Sequence, residues 1–161
     1  MLGLTILCLT ILFVIGLVLL SKAFPVFRDK DLFKVFFTSG WRPFKGEYGF
    51  LTFIFSTLNV TFIAILIALP FSLLTSIYLS EYSTSRIKKI FNPIIDLLSG
   101  IPPVIYGVWG TLTVVPLISE KIAPHFVDFS TGYSVLAGGI VLAIMITPLI
   151  ISITNEVFAA I

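Results

Sequence analysis

Charged residues are scarce in this chain. Only 11% of its 161 residues are charged, against about a quarter in an average soluble domain, and 58% are hydrophobic. Four segments contain no charge at all: Leu2–Leu20, Tyr48–Ser80, Leu97–Ser119 and Phe129–Asn155. A helix needs roughly 20 apolar residues to cross about 30 Å of hydrocarbon, so each segment can span a bilayer. The composition excludes a soluble domain and predicts an all-α, polytopic membrane protein with four transmembrane helices.

Cysteine and histidine are also nearly absent. The single cysteine, Cys8, excludes an internal disulfide or a multi-cysteine metal site, and we expect it to act as a small apolar residue. The single histidine, His125, lies beside Pro124 in a polar link, which favours a surface role. No metal motif, phosphate loop or nucleophile elbow occurs, so neither a cofactor nor an enzyme is expected. The basic residues are spread through loops, which argues against a nucleic-acid partner.

The charge-free segments and the polar stretches between them set the predicted boundaries. The first helix has no basic residue before it and no good cleavage site after it, so a retained anchor is favoured over a cleaved signal peptide. We predict transmembrane helix 1 at 1–20, an aromatic loop at 21–49, transmembrane helix 2 at 50–79, a link at 80–92, transmembrane helix 3 at 93–118, a second link at 119–131, transmembrane helix 4 at 132–153 and a final segment at 154–161.

The loop at 21–49 is rich in both rings and charges. Eight Phe, Trp and Tyr residues alternate there with Lys, Arg and Asp. Rings at this density favour the headgroup region, where an apolar body and a wet edge are both accommodated. We expect a short amphipathic helix at about Asp31–Phe37 lying on the membrane lipid. A docking surface for an outside partner is the alternative.

Small residues recur on the second and fourth segments. At four-residue spacing they lie on one helical face, which lets helices approach closely in lipid. We interpret them as helix-packing positions rather than as the lining of a path: Ala64, Ala68, Ser72 and Ser76, with Gly139 and Ala143 on the fourth segment.

The stretch Asp96–Gly110 breaks the third segment. Pro102 and Pro103 lack backbone donors and each clashes with the carbonyl one turn back, so a regular helix must end there. Broken backbone at membrane depth is tolerated where protein buries it or a water-filled cavity receives it, and transporters use it near substrate sites. A merely kinked structural span is the alternative. Asp96 is a functional candidate by its position, although snorkelling or pairing with a nearby lysine is favoured.

Several segments resemble one family. Leu97–Gly110 (LLSGIPPVIYGVWG), preceded by Tyr78–Tyr82 (YLSEY), resembles a signature of the permease subunits of phosphate ABC importers. Gly132–Pro148 and Ser56–Pro70 resemble two further spans of the same proteins. Trp41-Arg42-Pro43 and the Tyr133-Ser134 span are similar to the C-type rather than the A-type subunit. Pro103 departs from a usual serine, and Ser56 from a usual glycine.

The resemblance implies a six-span, type I importer (MetI-like) permease fold, with a partial permease domain at about 52–161 and the chain stopping before the cytoplasmic coupling loop. It implies a subunit that forms the inorganic phosphate path in a bacterial or archaeal cytoplasmic (inner) membrane. The implied partners are a second, A-type permease, a pair of separate ATP-binding subunits and an external phosphate-binding protein. The alternatives are a permease for sulfate or molybdate, and a structural or assembly membrane protein.

Donors for an anion are limited in this chain. No Lys or Arg lies in a predicted span, which leaves hydroxyls, freed amides near the proline break and helix N-termini. The substrate-contacting residues therefore stay open. The candidates for lining or gating the path are Thr57, Thr61, Gly100, Pro102, Pro103, Tyr106, Gly107 and Ser134.

The orientation of the chain has two conflicting signals. Six Lys or Arg in the first loop plus Lys121 stand against three in the link at 80–92, which predicts a cytoplasmic first loop. The resemblance implies a cytoplasmic N-terminus and an outer first loop. We favour the resemblance.

Overall fold

The computed structural model describes residues 2–29 and 32–159, and it is 84% helical. It separates into two compact units, Met1–Phe55 and Ser56–Ile161, which are described in turn. The elements are α1 (Leu2–Asp29), α2 (Leu32–Phe37), β1 (Trp41–Arg42), β2 (Glu47–Tyr48), α3 (Leu51–Ile77), α4 (Ser85–Ser99), α5 (Pro103–Leu117) and α6 (Val135–Ala159).

The first unit contains α1, α2 and a two-stranded hairpin. The helix α1 ends at Asp29, well past the predicted end at residue 20. The strands β1 and β2 are antiparallel and pair Trp41 with Tyr48, and the turn between them ends at Gly46, whose positive φ of 68° suits glycine. The helix α2 covers most of the predicted interfacial helix, whose first residue, Asp31, lies outside the described residues.

In the second unit, α3 and α6 run parallel. Gly139 of α6 lies against Ile63 of α3, and further along Ala143 packs with Ala64 and Ala68. Ser76, near the end of α3, donates to the carbonyl of Ile151 near the end of α6. Since both residue numbers rise together along the contact, the two helices point the same way. The chain must therefore return across the bundle between them.

The helix α5 makes this return. Gly110 of α5 faces Val141 of α6, whereas the later residues Val114 and Ile118 pack with the earlier residue Ala137. The two helices are therefore antiparallel. The fifteen residues of α5 and the five of the π-helical turn Ile118–Ile122 rise about 30 Å, the thickness of the hydrocarbon core. The direction and length of α5 together fit one crossing of the membrane.

The helix α4 does not continue that crossing. It begins at Ser85, whereas the third span was expected to begin near Pro93, and it bends by 91° relative to the helix that starts at Pro103. Its buried residue Ile95 packs with Leu79, in the π-helical turn Tyr78–Tyr82 after α3, and with Ile151 in the second half of α6. The helix α4 therefore packs against the second half of α6, near the point where α3 ends, and its basic residues lie in its first two turns.

Three helices are long and apolar enough to cross a membrane among the described residues, and a fourth span exists if the bent pair α4–α5 counts as one. The direction and length of α5 favour a fourth crossing, made by α5 with the turn that follows it. The prediction of an all-α, polytopic membrane protein is confirmed.

Candidate functional site

A groove runs along α5 and α6 in the second unit. Its volume is about 790 Å³, and its walls are almost entirely apolar. Val60 is the α3 residue at its edge. The lining residues are Val60, Pro103, Gly107, Gly110, Thr111, Val115, Tyr133, Ser134, Val135, Ala137, Gly138, Val141, Leu142 and Met145.

The proline break supplies one end of the groove. Pro102 is extended (φ −57°, ψ 136°), as expected for a residue that precedes proline, and it precedes the first residue of α5. Pro103 is that first residue, where a missing N–H costs nothing because the amide would have no helical partner. The two prolines therefore end one helix and start another.

Three of the candidate path residues meet at this groove: Pro103, Gly107 and Ser134. Ser134 caps α6, since its hydroxyl accepts from the Ala137 N–H at 3.2 Å and lies 3.4 Å from the Gly132 carbonyl. Its first role in the fold is therefore to satisfy a helix end. Apart from the neighbouring residues and backbone of its own helix, Gly107 has no atom of the described residues within 4 Å of the place where a Cβ would stand, so its position faces open space.

The other candidates lie elsewhere. Thr57 and Thr61 are exposed on α3, and Gly100 and Pro102 are exposed at the break; none of the four is among the lining residues of this groove. Gly100 instead ends α4 by donating its N–H to the Asp96 carbonyl at 3.1 Å.

Tyr106 faces away from the groove and ties the break together. Only 9% of it is exposed, and its hydroxyl donates to the Leu98 carbonyl at 2.9 Å, from α5 back to the last turn of α4. The Leu98 carbonyl also accepts from the N–H groups of Gly100 and Ile101, so the phenol adds a side-chain hydrogen bond that joins α5 to the C-terminal turn of α4. Tyr106 also lines a second groove of about 510 Å³ beside α3, α4 and α6. We infer that Tyr106 holds the angle between α4 and α5.

Replacing Tyr106 by phenylalanine should loosen this angle. The Leu98 carbonyl keeps backbone donors from Gly100 and Ile101, so the expected loss is about 1 kcal/mol of stability. Hydrogen exchange should become faster at the amides around the break. Tyr133→Phe is the matched control, because that side chain is 69% exposed and should tolerate the change. Equal rates of amide exchange around the break in the two variants would contradict a role of the Tyr106 hydroxyl in holding the angle.

The opposite end of α6 is polar. Asp96 accepts from the Ser152 hydroxyl at 3.3 Å, and Lys88 donates to the Ser80 carbonyl at 2.8 Å. The sequence favoured either snorkelling of Asp96 or its pairing with Lys88 or Lys89. Such a pair is not seen in the described part of the chain, where the one ion pair joins Arg42 to Glu47. A polar pocket of about 220 Å³ lies beside Asp96.

The four small residues of α3 form its buried face. Ala64, Ala68, Ser72 and Ser76 are fully buried, and Ser72 and Ser76 lie 3.4 and 3.5 Å from carbonyls of α6. These residues occupy the contact between α3 and α6 and line neither groove.

Gly110, Thr111 and Met145 were not singled out from the sequence, yet they line the first groove. Pro103, Gly107, Gly110 and Thr111 recur every three or four residues, the spacing of one helical face. This small-residue stripe on α5 was the available signal.

Comparison with known proteins identifies relatives of this chain. No family model and no solved structure matches it. The phosphate transport system permease protein PstC of Xylella fastidiosa is 36% identical over 137 residues, which cover 76% of this chain and 42% of the relative. The probable phosphate transport system permease protein PstC of Methanocaldococcus jannaschii is 35% identical over 142 residues, 79% of this chain and 45% of the relative.

This chain is a homologue of the PstC permease proteins. A probable ABC transporter permease protein of Bacillus subtilis, YqgH, is also similar, at 41% identity over 128 residues, 78% of this chain and 40% of the relative. The chain spans about two fifths of the length of these curated relatives. The resemblance to phosphate importer permeases is thus confirmed, and the chain is a multi-pass membrane protein.

Proposed function

We propose that this chain is part of a permease subunit of an ATP-driven importer of inorganic phosphate in a bacterial or archaeal cytoplasmic membrane. The path is formed together with a second, A-type permease. A pair of separate ATP-binding subunits supplies the energy, and an external phosphate-binding protein delivers the substrate.

The observation that carries this proposal is the homology to PstC proteins over about three quarters of the chain. The relatives are named for phosphate transport, and one of them for an ABC transporter permease. The arrangement of α3, α5 and α6 as alternating crossings agrees with a permease role.

We further propose that the groove along α5 and α6 lines part of the path. Pro103, Gly107 and Ser134 support this, since the broken backbone and the small residues leave space at membrane depth. The proline break itself then acts as a lining or gating element at the interface with the A-type permease.

The groove cannot hold phosphate alone. Phosphate carries one to two negative charges, and no charged side chain is among the residues that line the groove. Burying an anion without a counter-charge or several donors costs several kcal/mol. Cationic groups must therefore come from the rest of the subunit or from the A-type partner.

Uptake in cells tests the substrate. Deleting the gene that encodes this chain should abolish high-affinity uptake of radioactive phosphate, and restoring the gene should recover it. Excess sulfate or molybdate should compete poorly. If the deletion instead abolished sulfate or molybdate uptake and left phosphate uptake intact, the substrate would be that oxyanion rather than phosphate. Unchanged uptake of all three would indicate a structural or assembly role.

Co-purification separates the class from the substrate. The chain should be isolated together with an ATP-binding subunit and an A-type permease after mild solubilisation of the membrane. A chain isolated with neither subunit would contradict the permease role whatever the uptake results.

The orientation is expected to follow the family. We expect alkaline phosphatase, active only outside the cytoplasm, to be active when fused after Trp41 and inactive when fused after Arg86. The physical reason for the second site is that α4 and its basic residues lie at the membrane end reached by α3. Green fluorescent protein, which fluoresces when fused on the cytoplasmic side, should give the reverse pattern. Activity of the phosphatase only at Arg86 would invert the topology.

A further inference from the structure

The hairpin before α3 exposes an aromatic tip. Phe44 lies in the turn between β1 and β2 with its side chain fully exposed (104%). The neighbouring helix α2 exposes Phe33 and Phe37, whose rings stack on each other at 4.7 Å. Exposed apolar patches of this kind mark sites of contact with a protein or with a membrane.

The tip is held close to the start of a span. The Trp41 ring contacts Tyr48 and Phe53, with ring centres 5.9 and 5.1 Å apart. The N–H of Phe50 donates to the Val35 carbonyl at 2.9 Å, so α2 is joined to the same point. The apolar span begins at Leu51, so these contacts lie on both sides of its first residue. The hairpin is therefore attached at the boundary between hydrocarbon and headgroups.

The size of the hairpin suits the headgroup layer. Each strand has two residues and rises about 7 Å. The headgroup layer is roughly 5–8 Å thick on each side of the hydrocarbon core. A hairpin of this length that starts at the boundary can keep its tip within that layer.

The charges of this segment also suit lipid. Lys34 and Lys45 are exposed, whereas Arg42 forms the 3.9 Å ion pair with Glu47. Basic side chains next to rings match the phosphates and the acyl boundary of a lipid surface. Phe44, flanked by Pro43 and Lys45, presents one projecting ring rather than the concave surface that a protein segment would enter.

We propose that this hairpin anchors the chain in the lipid headgroup region, with the Phe44 ring inserted at the acyl boundary. Arg42 and Glu47 share the hairpin face opposite to that of Trp41 and Tyr48, because cross-strand partners share a face and alternate residues take opposite faces. In the proposed arrangement this ion-paired face is directed to water. The anchor fixes the position of α3 along the membrane normal. It goes beyond the proposed transport function and does not depend on the substrate.

Spin labels measure the insertion directly. Cys8→Ala removes the single cysteine, and Phe44→Cys then places one nitroxide at the tip without disturbing the ring contacts of Trp41. The chain is reconstituted in vesicles of phosphatidylethanolamine and phosphatidylglycerol. Electron paramagnetic resonance then compares collision with oxygen, which concentrates in acyl chains, and with a water-soluble nickel chelate. We expect the depth parameter at position 44 to shift toward the membrane interior.

Glu47→Cys in the same background is the matched control, because Glu47 lies on the strand face opposite to the Trp41 and Tyr48 rings rather than at the tip. Its label should collide mainly with the nickel chelate. Equal nickel access at both positions would place the tip in water, available to a soluble protein, and would overturn the proposal. Protection of position 44 from both reagents would also overturn it, because the tip would then be covered by protein.

Discussion

Replacing Gly139 by alanine is expected to force α3 and α6 apart. A Cβ at this position would lie 2.5 Å from Cγ2 and 2.8 Å from Cβ of Ile63. The Cβ of Ile63 is fixed by its backbone, and a β-branched side chain in a helix has one preferred rotamer, so the side chain cannot move aside. Overpacking of this kind costs about 1–3 kcal/mol. The gain of up to about 1 kcal/mol from replacing a helical glycine does not offset it.

The adjacent glycine provides the control. A Cβ at Gly138 would meet the methyl groups of Val60 at 3.7 Å, an ordinary contact distance. Gly138→Ala should therefore be neutral or slightly stabilising. Both variants are purified in the same detergent, and the fraction that stays monodisperse after heating is measured. We expect Gly139→Ala to lose its fold at a lower temperature than the wild type. Identical melting of the two variants would contradict the close crossing at Gly139.

The crossing of α3 and α6 was largely predictable from the sequence. A ladder of four small residues at four-residue spacing defines one face of α3, and in lipid such a face packs against another helix. The same reasoning pointed to Gly139 and Ala143 on α6. The spacing of small residues did not show which residue of α3 faces which residue of α6. It also did not show that a methyl group fits at Gly138 but not at Gly139. That distinction depends on the position of Ile63 across the contact.

The third span was harder to predict because charge and helix geometry gave different signals. Arg86, Lys88 and Lys89 made the segment before Pro93 look like a link, yet it forms the first part of α4. A proline at position 93 did not end that helix. The prolines at 102 and 103 indicated a break, but a sequence does not give the angle of the bend, which is 91° here. Contacts between residues far apart in the chain, such as Ile95 with Leu79 and Ile151, are not visible in local sequence patterns.

In the candidate site, too, sequence patterns identified individual residues, whereas the packing of the helices decided which of them meet. Pro103, Gly107 and Ser134 were chosen for separate local reasons, and they face one groove only because α5 and α6 are antiparallel neighbours. Tyr106 was chosen for its hydroxyl, one residue from Gly107. One helical position turns a side chain by about 100°, which is enough to place that hydroxyl on the Leu98 carbonyl rather than on the groove.

Filling the groove at Gly107 should stop transport without loss of the fold. Because no atom of the described residues, apart from the neighbouring residues and backbone of the same helix, lies within 4 Å of a Cβ built there, Gly107→Ala should fold at least as well as the wild type. Gly107→Leu extends a larger apolar side chain into the same space. If the groove is the path, we expect phosphate uptake by the intact importer to fall at least about tenfold, equal to about 1.4 kcal/mol on the barrier.

Gly110→Ala separates packing from blockage. Gly110 lies one helical turn after Gly107 and lines the same groove, but a Cβ there would overlap the side chain of Val141. This variant should lose stability by about 1–3 kcal/mol and lower the amount of assembled importer. Gly107→Leu should instead assemble normally, as measured by co-purification with the ATP-binding subunit, and fail in uptake. Normal assembly together with uptake at the wild-type rate would mean that phosphate crosses elsewhere, and the groove would then be the seat of another helix.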